Sequence, residues 1–354
     1  MKKIIISFFI AALLLCGCVQ KEILDDVNLE TGVGYDLVKE KIRGTALVPV
    51  YQPDKSVDNK TFTASSKLSR DFLNDVQRQS PDPIVTGSLE VVLFGKELSE
   101  RGILDLIDSF QRDPSVGAGL YLAVVDGESK KIIQGNYGNR GTAIFISNLI
   151  RHNMLTKDVP KTNLQLFLSD FYQIGKTSYL PQLKKKGKNQ IMISGISLFK
   201  YGKVVDTIPG NKMFFFKLLV DNYSEGTTEV KIGKEIAAIQ SVQSKNDFKL
   251  SRSPRNEVDI TLKINAILNE FSGNKVTKKE VGEIEKKFKK DVERECMQMT
   301  ERFQKQKIDP IGLGHFVKSK TRNFDIKKWW REDYPKLKVN IKADVTITES
   351  GVIE

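Results

Sequence analysis

Residues 13–22 read LLLCGCVQKE and set Cys16 and Cys18 at the edge of an apolar run. A cysteine in this position can take a thioether-linked diacylglycerol when a small residue precedes it at the cleavage point. Gly17 precedes Cys18, whereas the bulky Leu15 precedes Cys16. Upstream, Lys2 and Lys3 lead into an uncharged stretch from Ile4 to Leu15, the layout of a secretory leader. The apolar run from Ile4 to Val19 falls short of the roughly 20 residues that cross the hydrocarbon of a bilayer. The stretch predicts a signal peptide over residues 1–17, a lipobox with Cys18 as the S-diacylglycerol site and its freed amine open to N-acylation, and loss of Cys16.

Other fragments imitate catalytic or binding chemistry. DFYQIGKT at 170–177 carries the Gly-Lys-Thr of a phosphate loop, but Asp170 stands where the first glycine belongs, and a carboxylate there repels phosphate. GVG at 32–34 and GLG at 312–314 lack the third glycine of a dinucleotide loop and read as turns. SLFK at 197–200 has the Ser–Lys spacing of a serine acyltransferase, which needs a helix; on the strand expected here the two side chains point to opposite faces. His152 and His315 are the only histidines, so a histidine-built metal site is excluded, and no Gly-x-Ser-x-Gly elbow presents a serine to either. His152 reads as a helix cap and His315 as a loop residue. No spacing selects a pair among the many carboxylates. The residues yield no catalytic site, no cofactor site and no metal site, and point to a binding or assembly protein rather than an enzyme.

The elements around these fragments follow from composition and period. Residues 18–354 suffice for two or three domains at about 100–200 residues each. Once Cys18 carries a thioether, Cys296 has no partner in the chain, so the fold rests on packing. The formal charge of +12 falls to +10 when Lys2 and Lys3 leave with the leader, a sign that favours anionic headgroups beside a lipid anchor. The runs KKKGK (184–188) and KKFKK (286–290) read as a solvated loop and a solvated helix face; neither carries the interleaved aromatics of a nucleic-acid surface.

Residues 18–30 read as a lipid-anchored tether. Residues 31–52 predict a hairpin with Pro49 at a sheet edge, and SVDNKTFTASS (56–66) a polar loop. Phe72, Leu73 and Val76 mark a helix. LEVVLFG (89–95) and GLYLAVVDG (119–127) predict buried strands, separated by a helical pattern of Ile103, Leu106, Ile107 and Phe110, and residues 140–155 predict another helix. The alternation implies an N-terminal mixed α/β domain over 31–182. A composition shift at LKKKGKNQ (183–190) opens a C-terminal region, 190–354, divided near 255 into a small middle domain and a terminal α+β domain. There a hairpin turns at Tyr201–Lys203, and NKMFFFKLLVD and NEVDITLKINAILNE read as strands of an antiparallel sheet with one wet face. Residues 277–307 form the clearest helix, with Thr277 and Glu280 as a capping box and a stripe of Val281, Ile284, Phe288, Val292, Cys296, Met299 and Phe303. Cys296 on that stripe reads as a buried small hydrophobe. In LKVNIKADVTIT (337–348) apolar and polar residues alternate without an error, the mark of a half-buried strand that faces the helix. The fold class is therefore α+β, with several mixed α/β domains and an antiparallel sheet packed on a long helix in the C-terminal region.

GISLFKYGKVVDTI, the long charged helix, Asp309-Pro310-Ile311-Gly312-Leu313-Gly314, Trp330 before Tyr334-Pro335, and the closing strand with Gly351 together resemble the C subunit of spore germinant receptors, the Ger(x)C family. LFGKELSERGILDLIDSFQRDP, with Arg112 and Asp113, resembles the N-terminal segment of that family. The resemblance covers essentially the whole chain. It implies a non-catalytic lipoprotein required for spore germination, placed on the outer surface of the inner spore membrane. Its implied partners are two membrane-embedded germinant receptor subunits, one of them transporter-like. It brings no catalytic residue. The competing reading, a substrate-binding lipoprotein of a transporter, requires two doubly wound lobes about a hinge with an aromatic-lined cleft between them.

Overall fold

The computed structural model describes residues 26–66, 69–187, 189–222, 225–251, 256–273 and 277–349; the leader, Cys16 and Cys18 lie outside them. The tether ends sooner than its polar composition suggests. Asn28–Leu29 (β1) pairs in parallel with Ile84–Val85 (β5), and Glu30 is already buried.

The expected hairpin forms from Gly32–Val38 (β2) and Lys41–Tyr51 (β3). Pro49, however, does not mark the edge. Val57–Ser66 (β4), the segment expected as a loop, pairs with β3 along its length and is the outermost strand. Its polar residues alternate outward while Phe62 and Ala64 are buried, the pattern of an edge strand with one wet side. Pro49 is tolerated because the pairing with β2 stops at Leu47, opposite Gly32, and among the described residues no strand on that side pairs with Pro49.

Val91–Gly95 (β6), Tyr121–Val125 (β7), Tyr179–Lys185 (β8), Ile191–Lys200 (β9) and Lys203–Pro209 (β10) complete one sheet in the order β10-β9-β8-β7-β6-β2-β3-β4. Its centre, β2, β6, β7 and β8, is parallel and its flanks are antiparallel. Alternate residues of the central strands enter different cores. Val91, Leu93, Ala123 and Val125 belong to one, whereas Val92, Phe94, Leu122 and Val124 belong to the other. Burial on both faces is why these strands read as unbroken apolar runs.

The second core is covered by Ser69–Gln77 (α1), Lys96–Arg101 (α2), Leu104–Arg112 (α3) and Leu164–Tyr172 (α6). The first is covered by Ser129–Ile133 (α4) and Thr142–Thr156 (α5). Leu73 of α1, expected inside, faces solvent. The GVG at 32–34 is not a turn but part of β2, where a Cβ on Gly32 would meet Ala143 of α5 at 3.3 Å. The basic stretch begins on the last three residues of β8, Leu183 to Lys185, which pair with β9, so the sheet continues across it. In the β9–β10 turn Tyr201 and Gly202 both take positive φ, 53° and 77°, as a two-residue hairpin turn requires.

NKMFFFKLLVD is a helix, not a strand: Met213–Val220 (α7) is buried from Met213 to Leu219, and a helix that is apolar on all sides carries no period to reveal it. Its one charge, Lys217, donates to the carbonyls of Met154 and Lys157 at 2.9 and 2.6 Å, and so closes the C-terminus of α5. Gly226–Ile232 (β11), Glu235–Leu250 (β12), Glu257–Phe271 (β13) and Lys338–Glu349 (β14) form a second sheet in that order. The first two pairings are antiparallel. β14 joins β13 in parallel, because Lys278–Gln306 (α8) carries the chain back before it begins. The capping box of Thr277 and Glu280 is present at the start of α8. All seven stripe residues named from the sequence are buried, facing Leu337, Val339, Ile341, Ala343, Val345 and Ile347 across one core.

That shared core sets the cost of truncation. Phe288→Ala and Ile341→Ala should each lower the unfolding free energy by about 2–5 kcal/mol. Lys287→Ala, which removes only an ion pair with Asp291, and Lys342→Ala, exposed on β14, should each stay within about 1 kcal/mol. Urea denaturation compares the four, and equal midpoints would refute the facing. Glu30 supplies a pH signature. Burial, with the charge of Asp113 nearby, pushes its carboxyl up to about 8. The native state thus holds a proton that the unfolded chain gives up at the ordinary value of 4.5. Stability from this group is complete below the ordinary value and is lost as pH rises through about 8. Glu30→Gln should flatten the decline in thermal midpoint between pH 5 and pH 9, read by calorimetry at each pH.

Candidate functional site

The two fragments that look most chemical in the sequence meet in space. Gly175-Lys176-Thr177 lies in the loop between α6 and β8, and Asp309 lies in the loop that follows α8. The N–H of Thr177 donates to the Asp309 carbonyl at 2.8 Å, and the N–H of Asp309 donates to the Thr177 hydroxyl at 2.8 Å. The Asp309 carboxylate accepts from the N–H groups of Gly312 at 2.8 Å and Gly314 at 2.7 Å. Burial still outweighs these bonds and pushes its carboxyl up to about 6.

Glycine is required here for closeness and for turn. A Cβ on Gly314 would stand 2.7 Å from the Cα of Gly175, and Gly312 turns at φ 85° to open Leu313–Lys320 (α9). The GLG is therefore a turn as expected, but it also starts a helix, and His315 sits on that helix rather than in a loop. Ile326–Glu332 (α10) follows. Trp330 stacks on Tyr334 with ring centres 4.6 Å apart, and the Tyr334 hydroxyl donates to the Ile308 carbonyl. Gln304 donates to the Tyr334 and Leu337 carbonyls at 3.0 and 2.8 Å, fixing the start of β14. This joint holds the two halves of the chain in register. Lys176, the lysine of the phosphate-loop imitation, is paired with Asp170 at 2.7 Å.

The crevice at the C-terminal ends of the central strands is the usual ligand site of an open α/β sheet. Here the chain sets its own anion at the helix N-terminus that lines it. The Asp36 carboxylate accepts from the N–H groups of Ser129 at 2.7 Å and Lys130 at 3.0 Å, at the start of α4, and from Arg43 at 3.0 Å. Arg43 also reaches Glu128 at 2.8 Å. A phosphate entering this helix N-terminus would have to displace a buried carboxylate. Sequence reasoning missed Asp36 and Arg43, since a single Asp within a strand has no spacing signal.

The remaining candidates stay apart. Ser197 is fully buried and Lys200 half-buried on β9, three residues apart as expected for opposite faces. His152 lies within α5, exposed, and not at its cap. Cys296 is buried with its thiol pushed up by desolvation and directed at the Phe215 carbonyl. Among the described residues no group of three or more His, Cys, Asp or Glu side chains could hold a metal ion. No described helix is long and apolar enough to cross a membrane. Lys184 of the first basic run sits 3.5 Å from Asp126, and Lys287 of the second 3.1 Å from Asp291.

The Asp309 joint is testable by stability. Asp309→Ala leaves two N–H groups dry and should cost about 2–4 kcal/mol. Thr177→Val should cost about 1–2 kcal/mol. His315→Ala, exposed on α9, should stay within about 0.5 kcal/mol. Urea midpoints compare them, and three equal values would remove the joint from any structural role.

Comparison with known proteins follows the same two halves. The family model of the spore germination protein N-terminal domain matches residues 20–185, and that of the spore germination B3/GerAC-like C-terminal region matches 194–351. Spore germination protein GerQC of Bacillus cereus is 32% identical over 99% of both chains. Spore germination protein B3 of Bacillus subtilis (strain 168) is 20% identical over 98% of this chain and 97% of its own. The crystal structure of the GerBC protein aligns with TM-score 0.61 at 19% identity, covering 90% of this chain and 96% of that one, and so shares the fold. The chain belongs to the GerAC-like family of spore germination proteins.

Proposed function

We propose that this protein is the non-catalytic, lipid-anchored C subunit of a nutrient germinant receptor. It is held through Cys18 on the outer surface of the inner spore membrane, beside two membrane-embedded subunits, one of them transporter-like. The observation that carries this reading is the match of both family models in sequence along the chain, at residues 20–185 and 194–351. The Cys18 lipobox supplies the anchor. The fragments that imitate an enzyme site instead serve the Asp309 joint or lie apart, which supports an assembly role. Tethering a folded module raises its local concentration at partner ectodomains without any new contact. The net positive charge adds attraction to anionic headgroups.

Cys18→Ala should abolish incorporation of labelled fatty acid and leave the precursor unprocessed, whereas Cys16→Ala should change neither. Spores carrying only the Cys18→Ala form should respond poorly to the nutrients of that receptor and normally to stimuli that bypass it. Equal labelling of the two single variants would refute the anchor. Wild-type germination of a deletion strain with every nutrient, in a background free of related receptors, would refute the receptor role.

A further inference from the structure

A cavity of about 350 Å³ opens where the α6–β8 loop, the β9–β10 turn and α10 come together, on the outer side of the Asp309 joint. That volume lies within the range of small-molecule sites. Tyr172, Tyr201 and Trp330 wall it together with Phe171, and the buried Phe199 also lines it. Tyr172 and Tyr201 are 61% and 76% exposed, so both rings keep surface that a ligand can cover.

Its charge is one-sided. Lys176, Lys200, Lys307 and Lys327 line it, and among the described residues no carboxylate does. Lys176 is neutralised by Asp170 behind the wall. Lys307 and Lys327 have no ion pair among the described residues, and the Lys200 ammonium donates only to the Gln306 carbonyl, at 3.0 Å. Partial burial, and then the charge of Lys307, lower the proton affinity of Lys200, as expected where cations crowd without a counter-charge. Two of the four lysines come from the joint itself or its immediate flank: Lys176 lies between Gly175 and Thr177, and Lys307 is the left-handed residue that ends α8. The joint therefore fixes the cavity as a preformed shape rather than leaving it to a mobile loop.

We propose that this cavity binds a small organic carboxylate whose apolar body lies between Tyr172, Tyr201 and Trp330 while its anionic end meets Lys200, Lys307 and Lys327. A neutral molecule would leave the ammonium groups unmatched. A zwitterionic amino acid would bring its own ammonium into a cationic site with no acid to receive it. The cavity thus selects for a carboxylate without a neighbouring positive charge. This site does not depend on the receptor reading, because its test needs only the purified protein.

The test is titration of the full chain, purified in detergent, with phenylacetate, followed by tryptophan fluorescence, since Trp330 lines the cavity while Trp329 is buried beside it. Phenylacetate should change the emission saturably. 2-Phenylethanol and phenylalanine should each bind at least about tenfold more weakly. Lys307→Gln combined with Lys327→Gln, both on exposed side chains, should weaken phenylacetate by about tenfold or more while leaving the urea midpoint unchanged. Trp330→Leu should remove the emission change, and calorimetry should then still detect weakened binding. Equal binding of 2-phenylethanol, or an unchanged affinity in the double lysine variant, would overturn the proposal. So would the lack of a saturable response to phenylacetate, benzoate and hexanoate alike. Binding of poly-glutamate without any of these would also overturn it, and would assign the lysines to an acidic protein segment instead.

Discussion

A carboxylate shut away from water has to be matched from inside the protein, and the position of Asp309 is set by that need. Its two oxygens are taken by the N–H groups of the loop that it begins, and its own backbone exchanges two bonds with Thr177. Everything after α8 takes its starting direction from this loop: α9, α10, the Trp330–Tyr334 stack and the entry to β14. Because Thr177 stands just before β8, the same bonds tie the second sheet to the first. Loss of the carboxylate would therefore release more than a turn, since leaving buried N–H groups unpaired costs their full desolvation.

Between the joint and the sheets lies a single apolar body. α7 contributes Phe214, Phe215 and Phe216, and α8 contributes its stripe; together they connect the first sheet to the second without a polar seam. Phe216 meets Tyr179 on β8 edge-on at 5.3 Å and Phe303 on α8 at 6.1 Å, so one ring touches both halves. The ammonium of Lys217 inside this body is acceptable because it meets the carbonyls at the end of α5, where the helix dipole is negative. Such continuity explains why the molecule does not divide into the two hinged lobes that a transporter's binding lipoprotein would show.

The outer strands are protected by side chains. On β14 the N–H groups of Ala343 and Ile347 are turned away from β13 and donate to Glu293 at 2.9 Å and Glu285 at 3.3 Å, both from α8. The helix that covers one face of the sheet thereby also covers its edge, leaving less backbone free to pair with another chain. On β4 the same end is served by Asp58 and Lys60, charged and exposed.

Local patterns in the sequence determined the elements whose physics is local. The period of three and four from Val281 to Phe303, with the Thr277–Glu280 box, sets α8; the strict alternation from Leu337 to Ile347 sets β14; the apolar runs at 91–95 and 121–125 set the buried centre of the first sheet. The tertiary structure decided what no local pattern can hold. MFFFKLLV is apolar except at Lys217, so it carries no period and only its surroundings make it a helix. The polar segment 57–66 becomes a strand because β3 offers it an unpaired edge. Asp36 becomes the anion of the crevice only when β2 is set beside α4, 93 residues on. Gly175-Lys176-Thr177 and Asp309 are each ambiguous alone, and they acquire a meaning when folding closes the separation of 132 positions from Thr177 to Asp309. A side chain's periodicity states which face must leave water; it does not state which partner, far along the chain, will meet it there.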